Sequence, residues 1–479
     1  MQPVPPPPDH QALSNLLGQF GQQHLMNFYH RLSSPEKLEL DRQIASLDWP
    51  LVHQLVQSVV LKPQAWKIPA DLSPPTVYPY VPNDAAQQQK YRKAFARGED
   101  LLRQGKIAAF VVAGGQGTRL GWDGPKGTFP ATPVRQKPLF QCFAEFLMAL
   151  AKRYGRSIPL YVMTSPINHA ATVSFWESHQ YFHLNPQQVM FFPQDMLPAI
   201  GFDGKALLET PASLALSPNG HGGSLLALHK SGALTDMRRR GIEQISYFQV
   251  DNPIVRCIDP LFIGLHDLDE AQMSSKMLPK AFGKEKLGNF CLVNGKLTVI
   301  EYSDLPDSLA EQRLPNGELR FRAGSIALHA MRRDFVESLN DHGFALPYHR
   351  AEKKVPCIDP ISGQSIKPDQ PNAVKMETFV FDALPLTARS IIYETSRGDE
   401  FAPIKAPTGI DSVVSSREIT NIRNVAWLAA AGVEIPRRTD GTPDCIIEIA
   451  PSFALYPQDV LDRKSDIPPI SAGDQVYLE

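Results

Sequence analysis

A doubly wound, mostly parallel α/β sheet is the fold this 479-residue chain predicts. Three observations predict it. Four short apolar runs read as strands buried on both faces: Ile107-Ala-Ala-Phe-Val-Val-Ala113, Pro159-Leu-Tyr-Val-Met-Thr164, Val189-Met-Phe-Phe192 and Ile245-Ser-Tyr-Phe-Gln-Val250. Helical stretches at 138–154 and 169–179 lie between them, and such alternation makes successive strands parallel. A glycine-rich loop follows the first strand directly, and ligands in these sheets bind beyond the carboxyl ends of strands.

The other elements follow in chain order. Residues 1–8 hold five prolines and no helix or strand pattern, so a disordered tail is expected. From residue 9 to about 61 the pattern is helical: Leu13, Leu16, Leu17 and Phe20, then Leu25, Phe28, Tyr29 and Leu32. Ser34, ahead of Pro35 and Glu36, reads as a helix N-cap. Prolines between 63 and 84 predict a loop, and a charged helix is expected at 86–104. Past residue 401 the chain is loop-rich, with a helix expected at 416–431 and a strand at 445–449. Three consecutive modules result: helical over 1–100, the α/β sheet over 101–400, and a small C-terminal module over 401–479.

Composition narrows the function. Hydrophobic content of 43% and charged content of 20% fit an ordinary globular protein. The net charge of −2 offers no global field for nucleic acid or an anionic membrane. No apolar run reaches the ~20 residues of a membrane span. The five cysteines are scattered, odd in number and form no C-x-x-C pair, which points to a reducing compartment and hence the cytoplasm.

The most informative stretch is Ala113-Gly-Gly-Gln-Gly-Thr-Arg-Leu-Gly-Trp-Asp-Gly-Pro-Lys-Gly127. Glycines let the backbone turn tightly, take positive φ and aim N–H groups at phosphate oxygens. Arg119 and Lys126 add positive charge. Two commoner phosphate loops do not fit. A Walker A loop needs Gly-Lys followed by Ser or Thr, and here Lys126 sits between Pro125 and Gly127. A dinucleotide fingerprint needs G-x-G-x-x-G, and Gly115-Gln-Gly117-Thr-Arg runs into Leu120.

This segment resembles the signature of the sugar nucleotidyltransferases, and within them the eukaryotic-type UDP-sugar pyrophosphorylases of the UDP-N-acetylhexosamine group. Phe191-Phe-Pro-Gln-Asp-Met-Leu-Pro198, Pro218-Asn-Gly-His-Gly-Gly223, Val250-Asp-Asn252, Val299-Ile-Glu-Tyr-Ser303, Lys375-Met-Glu-Thr-Phe-Val-Phe-Asp382 and Asp399-Glu-Phe-Ala-Pro-Ile-Lys405 are similar to that family in the same order. The resemblance runs from about residue 10 to 465 and implies transfer of uridylate from UTP to a sugar 1-phosphate, with Mg²⁺ as cofactor.

It also implies roles. Gly114, Gly115, Gly117 and Thr118 would receive the nucleotide, with Gln194 and Gly220 completing uracil recognition. Lys126 would lie along the phosphates with Arg119 nearby, and Asp251 would hold the metal. Lys405 would take the sugar phosphate, and Gly288, Glu301, His221 and Ser325 the sugar. Without the resemblance, Asp251 also fits a turn aspartate, Gln194 a loop glutamine, Lys405 a surface lysine and Glu301 an exposed strand residue. Two positions depart from the acetylhexosamine pattern: His221 and Ser325 stand where that group carries asparagine. A UDP-glucose or broad-specificity UDP-sugar enzyme is therefore the alternative reading, and a non-catalytic sugar-nucleotide-binding protein the alternative from another class.

Overall fold

The computed structural model describes residues 9–62 and 68–479. The expected tail at 1–8 and the start of the loop at 63–84 lie outside the described residues. The chain groups into two compact units rather than three consecutive modules. The first comprises the described residues up to 62 with Gln194–Ser224 and Leu346–Asp382; the second holds the rest. The reason is apolar matching over long sequence distances. Leu17, Leu25, Leu40, Ile44 and Trp49 form one core with Ile200, Val374 and Met376, so the N-terminal helices are inseparable from strands far along the chain. Periodicity finds an apolar face but not its partner.

In that first unit the helix Ser34–Ala45 is capped one residue earlier than expected. Ser33, not Ser34, is the N-cap: the Glu36 carboxylate accepts from the Ser33 N–H at 2.8 Å and from its hydroxyl at 2.6 Å. The capping-box spacing of three residues selects Ser33.

The second unit is built on a nine-stranded sheet. We label its strands β1 (Ile107–Val112), β2 (Leu160–Thr164), β3 (Val189–Pro193), β4 (Gln244–Gln249), β5 (Met273–Pro279), β6 (Gly288–Val293), β7 (Lys296–Ile300), β8 (Ala323–Arg332) and β9 (Ile392–Glu394). The centre, β3-β2-β1-β4, is parallel, with Phe110 beside Tyr161 on one flank and Tyr247 on the other. The predicted parallel α/β core is therefore present, and all four predicted strands belong to it. Beyond β4 the direction reverses. β8 runs antiparallel to β4, β5 and β6, β6 pairs with β7 as a hairpin, and β9 lies parallel to β5. The β8–β5 ladder is bulged: His329 faces Ser275 and Ser325 faces Met277, and Ala327 within the excess takes φ 54°.

Helices cover the parallel centre, among them Leu139–Tyr154 and His169–Ser178 close to the predicted bounds. The charged helix, Ala85–Arg103, crosses Pro260–Leu268 with backbones nearly in contact. A Cβ on Gly264 would stand 1.7 Å from the Ala94 carbonyl oxygen, and one on Gly98 1.9 Å from that of Pro260. Backbone cannot swing aside as a side chain can. Gly264→Ala is expected to destabilise the fold by about 3 kcal/mol, at the upper end for overpacking. A urea midpoint equal to that of the unmodified protein would show that the helices do not approach so closely.

The C-terminal stretch contributes the helix Val413–Ala430, capped by Ser412, and a parallel pair, Ile446–Ile449 with Gln475–Leu478. Trp427, Leu428, Ile447 and Val460 form its core. Among the described residues no helix is long and apolar enough to cross a membrane.

Candidate active site

The loop after β1 folds back on itself. The Gly117 N–H donates to the Gly124 carbonyl at 2.9 Å, and the Lys126 N–H to the Gly115 carbonyl at 3.1 Å, so Lys126 is fixed beside the loop's start. Its glycines serve different needs. Gly121 and Gly124 are the ones with positive φ, 70° and 133°. Gly114, Gly115 and Gly117 do not have positive φ. Gly117 is required by Trp122, whose side chain would lie 2.8 Å from an added Cβ. Gly127 is required by the Phe140 ring, 2.1 Å from an added Cβ. Gly115 faces open space. The N–H groups of Gly114 and Gly115 make no hydrogen bond among the described residues, which leaves two backbone donors at the carboxyl end of β1. Thr118 and Arg119 are exposed on the following turn.

Asn168 holds this loop, and the sequence reading missed it. Fully buried, it donates from Nδ2 to the carbonyls of Ala113 at 3.0 Å and Gly115 at 3.2 Å, and accepts from the Ser165 N–H at 2.8 Å. Ser165-Pro-Ile-Asn168 reads locally as a helix start, with no local sign of a partner some fifty residues back.

Asp251 follows β4, and its carboxylate lies between two lysines. Lys126 Nζ is 3.7 Å and Lys405 Nζ 4.0 Å from Asp251 Oδ2. The Asp251 and Lys126 side chains are only 11% and 16% exposed, while Lys405 reaches solvent at 44%. Burial lowers the Lys126 pKa, with Lys405 and Arg119 adding to the fall and Asp251 opposing it. An anion arriving here would relieve crowded positive charge. Backbone bonds set the pair: the Ile404 N–H donates to the Asp251 carbonyl at 2.8 Å, and Asn252 bonds the Glu400 carbonyl at 2.6 Å and the Ala402 N–H at 3.1 Å. Glu400 is itself buried against Lys276 at 2.6 Å. Asp411, also missed from sequence, accepts the Lys405 and Ala406 N–H groups through its carbonyl and so orients Lys405.

A partly open cavity lies beside Lys405. Asp251, Lys405, Gly288, Glu301 and Ser325 all line it, so five of the predicted residues meet at one place. Gly288 pairs with Ser325 across β6 and β8, and a Cβ on it would lie 3.4 Å from Glu301 Oε1. The bulge in β8 shapes the wall through Ala327, which no sequence signal marked.

The remaining predicted residues, Gln194, Gly220 and His221, belong to the first unit. Gln194 is 7% exposed and its Oε1 is buried with no hydrogen-bond partner among the described residues. Gly220 has φ 81°, and an added Cβ would meet the Thr378 carbonyl at 2.3 Å, so only glycine fits. His221 packs against Phe379 and Phe381, and its Nδ1 accepts the Val380 N–H at 3.1 Å. Burial, and then His349, push its pKa down to about 4. The ring is therefore neutral near pH 7 and carries its proton on Nε2.

Mg²⁺ takes one or two carboxylates and completes its shell with water and phosphate oxygens. Among the described residues no cluster of three or more metal-ligating side chains exists. The single carboxylate of Asp251, amid lysines that attract phosphate, fits that manner of binding and not an all-protein cage.

A parallel-centred α/β sheet with a glycine loop after its first strand, and a lysine–aspartate–lysine cluster at the strand ends with Lys126 and Asp251 buried, has the arrangement of a phosphate-handling enzyme. The chain belongs to the UTP–glucose-1-phosphate uridylyltransferase family, whose model matches residues 71–474. It is 34% identical over 448 residues to UDP-N-acetylglucosamine diphosphorylase 2 of Arabidopsis thaliana, covering 90% of this chain and 87% of that one. It is 36% identical over 369 residues to the UDP-N-acetylglucosamine pyrophosphorylase of Saccharomyces cerevisiae, covering 75% and 76%. The fold matches the UDP-N-acetylglucosamine pyrophosphorylase of Trypanosoma brucei with a TM-score of 0.81, at 24% identity and over 100% and 99% of the two chains.

Proposed function

We propose that this chain joins UTP to N-acetylglucosamine 1-phosphate, giving UDP-N-acetylglucosamine and pyrophosphate. The observation that carries it is the Asp251 carboxylate between Lys126 and Lys405 at the wall of the Glu301–Ser325 cavity. A phosphate oxygen of the sugar phosphate attacks the α-phosphorus in line. The bond from that phosphorus to the oxygen bridging it to the β-phosphorus breaks, and pyrophosphate leaves with the electron pair. The nucleophile is already an anion, so no general base is required. Lys405 draws in the sugar phosphate, and Lys126 with Arg119 offsets charge on the triphosphate. Asp251 would hold Mg²⁺, which when bound neutralises phosphate charge further. The free, buried thiols of all five cysteines support a cytoplasmic setting. Pyrophosphate release from UTP with a panel of sugar 1-phosphates tests the reading; no release with any of them would sink it.

Two outcomes are expected from that assay. UTP is used with a kcat/KM on the order of 10²-fold or more above CTP, because the buried Gln194 amide pairs with the imide edge of uracil and is left mismatched by cytosine. Equal rates with the two nucleotides would refute base reading there. N-acetylglucosamine 1-phosphate is preferred, with glucose 1-phosphate a weaker but detectable substrate. Ser325 is shorter than asparagine, and one imperfect polar contact changes discrimination by only about 1–3 kcal/mol. Ser325→Asn is expected to shift the ratio of kcat/KM values toward the acetylated sugar. A preference of the unmodified enzyme for glucose 1-phosphate beyond about a hundredfold would favour the UDP-glucose reading instead.

A further inference from the structure

A second, partly open cavity lies in the second unit among the helices Leu139–Tyr154 and Val413–Ala430 and the strand Ile446–Ile449. Its wall is apolar through Phe146, Ile254, Trp427 and Leu455, and two guanidinium groups, Arg256 and Arg423, face it from adjoining segments. Neither has a countercharge in contact. Arg256 forms no hydrogen bond or ion pair among the described residues; it lies over the Tyr456 ring, and Glu400, Asp259 and Asp399 act on it at longer range. Arg423 spends two donors on the amide oxygen of Asn424, at 3.0 and 3.1 Å, and stacks on Trp427. The carboxylates lining the cavity are already engaged. Glu145 binds Lys137 at 2.6 Å, and Glu448 accepts the Val134 and Arg135 N–H groups at 2.8 Å each. Burial pushes the Arg423 pKa down to about 10, and the neighbouring Arg256 adds to the fall. Two like charges are thus held close with N–H donors unspent, although Glu400, Asp259 and Asp399 outweigh burial at Arg256 and hold its pKa above the usual value. Such an arrangement gains most from an oxyanion, which a guanidinium grips with paired, charge-assisted hydrogen bonds.

We propose that this cavity is a second ligand site that takes an organic anion. A phosphate, sulfonate or carboxylate head lies on Arg256 and Arg423, and a flat apolar body lies against Trp427, Phe146 and Leu455. The site is wired to the catalytic cluster at two points. Pro253 to Arg256 continue directly from Asp251 and Asn252. The helix that carries Arg423 also holds the Lys405 segment, through the Ser416 hydroxyl donating to the Ala402 carbonyl at 2.6 Å. Occupancy therefore bears on where Lys405 stands. The binding site does not rest on the proposed reaction; its effect on the sugar-phosphate KM does.

The test uses the full chain with its active site filled by UDP-N-acetylglucosamine, titrated with anilinonaphthalene sulfonate, which has a flat apolar body and an anionic head. One saturable site per chain is expected, with inorganic phosphate competing for it. Affinity is expected to fall about tenfold in Arg423→Met and in Ala454→Phe, which fills the cavity from its apolar side, and to fall less in Arg423→Lys, which keeps the charge but not the paired donors. Should Arg423→Met fail to fold, Ala454→Phe and Arg423→Lys decide the matter. Unchanged affinity in folded Ala454→Phe, or binding that phosphate does not compete for, overturns the site. Without the product, dye occupancy is expected to change the sugar-phosphate KM at least twofold in the unmodified enzyme and not in Ala454→Phe. An unchanged KM in an active enzyme overturns the coupling, while failure of the reaction itself shows as absent pyrophosphate release with no dye present.

Discussion

Lys126→Ala is expected to lower turnover by about 10²–10³-fold, the usual cost of removing one preorganised electrostatic group from a site where charge develops. The expectation rests on three features. Lys126 is fixed at its backbone by Gly115, its neighbour Gly127 is pinned under Phe140, and its ammonium lies 3.7 Å from Asp251. A mobile surface lysine would be replaced by solvent cations at little cost; a buried, preplaced one is not. Lys126→Arg keeps the charge but not the shape and is expected to recover only part of the rate. The measurement is steady-state pyrophosphate release, with circular dichroism to show that the variant folds. Turnover within a few-fold of the unmodified enzyme, in a folded variant, would remove Lys126 from the mechanism.

Asp251→Asn is expected to lower turnover by about 10²-fold and to raise the Mg²⁺ concentration for half-maximal rate. The amide keeps the shape and one acceptor oxygen but loses the negative charge that a hard cation requires. It also leaves Lys126 and Lys405 facing each other with no anion between them, so triphosphate binding in the absence of metal is expected to hold or tighten. That divergence separates a metal-holding role from simple misfolding, which would weaken both. A Mg²⁺ titration with unchanged half-saturation and maximal rate would place the metal elsewhere.

Much of this site is legible in the linear chain because its parts sit at strand ends. A buried strand is recognised from its own residues, and the sheet then puts whatever follows it at one edge. Gly114 and Lys126 after β1, and Asp251 after β4, are found by that logic, and β1 and β4 are neighbours in the sheet. Gly288, Glu301, Ser325 and Lys405 were identified through resemblance, and they do share one cavity. Asn168, Ala327 and Asp411 were not found. Asn168 acts on the distant loop after β1, Ala327 bulges its own strand β8, and the Asp411 carbonyl bonds the nearby Lys405 segment. No local composition signals such a task.

The sequence by itself determined the parallel centre of the sheet, the glycine loop after β1 and the charged residues beside it. These depend on hydrophobic runs, turn residues and side-chain chemistry, all of which are local. Only the tertiary structure decided the antiparallel half of the sheet, the joining of the N-terminal helices to strands near residues 200 and 374, and the distances that set Asp251 between two lysines. Those follow from which apolar faces exclude water together and which carbonyls find donors, choices made across hundreds of residues.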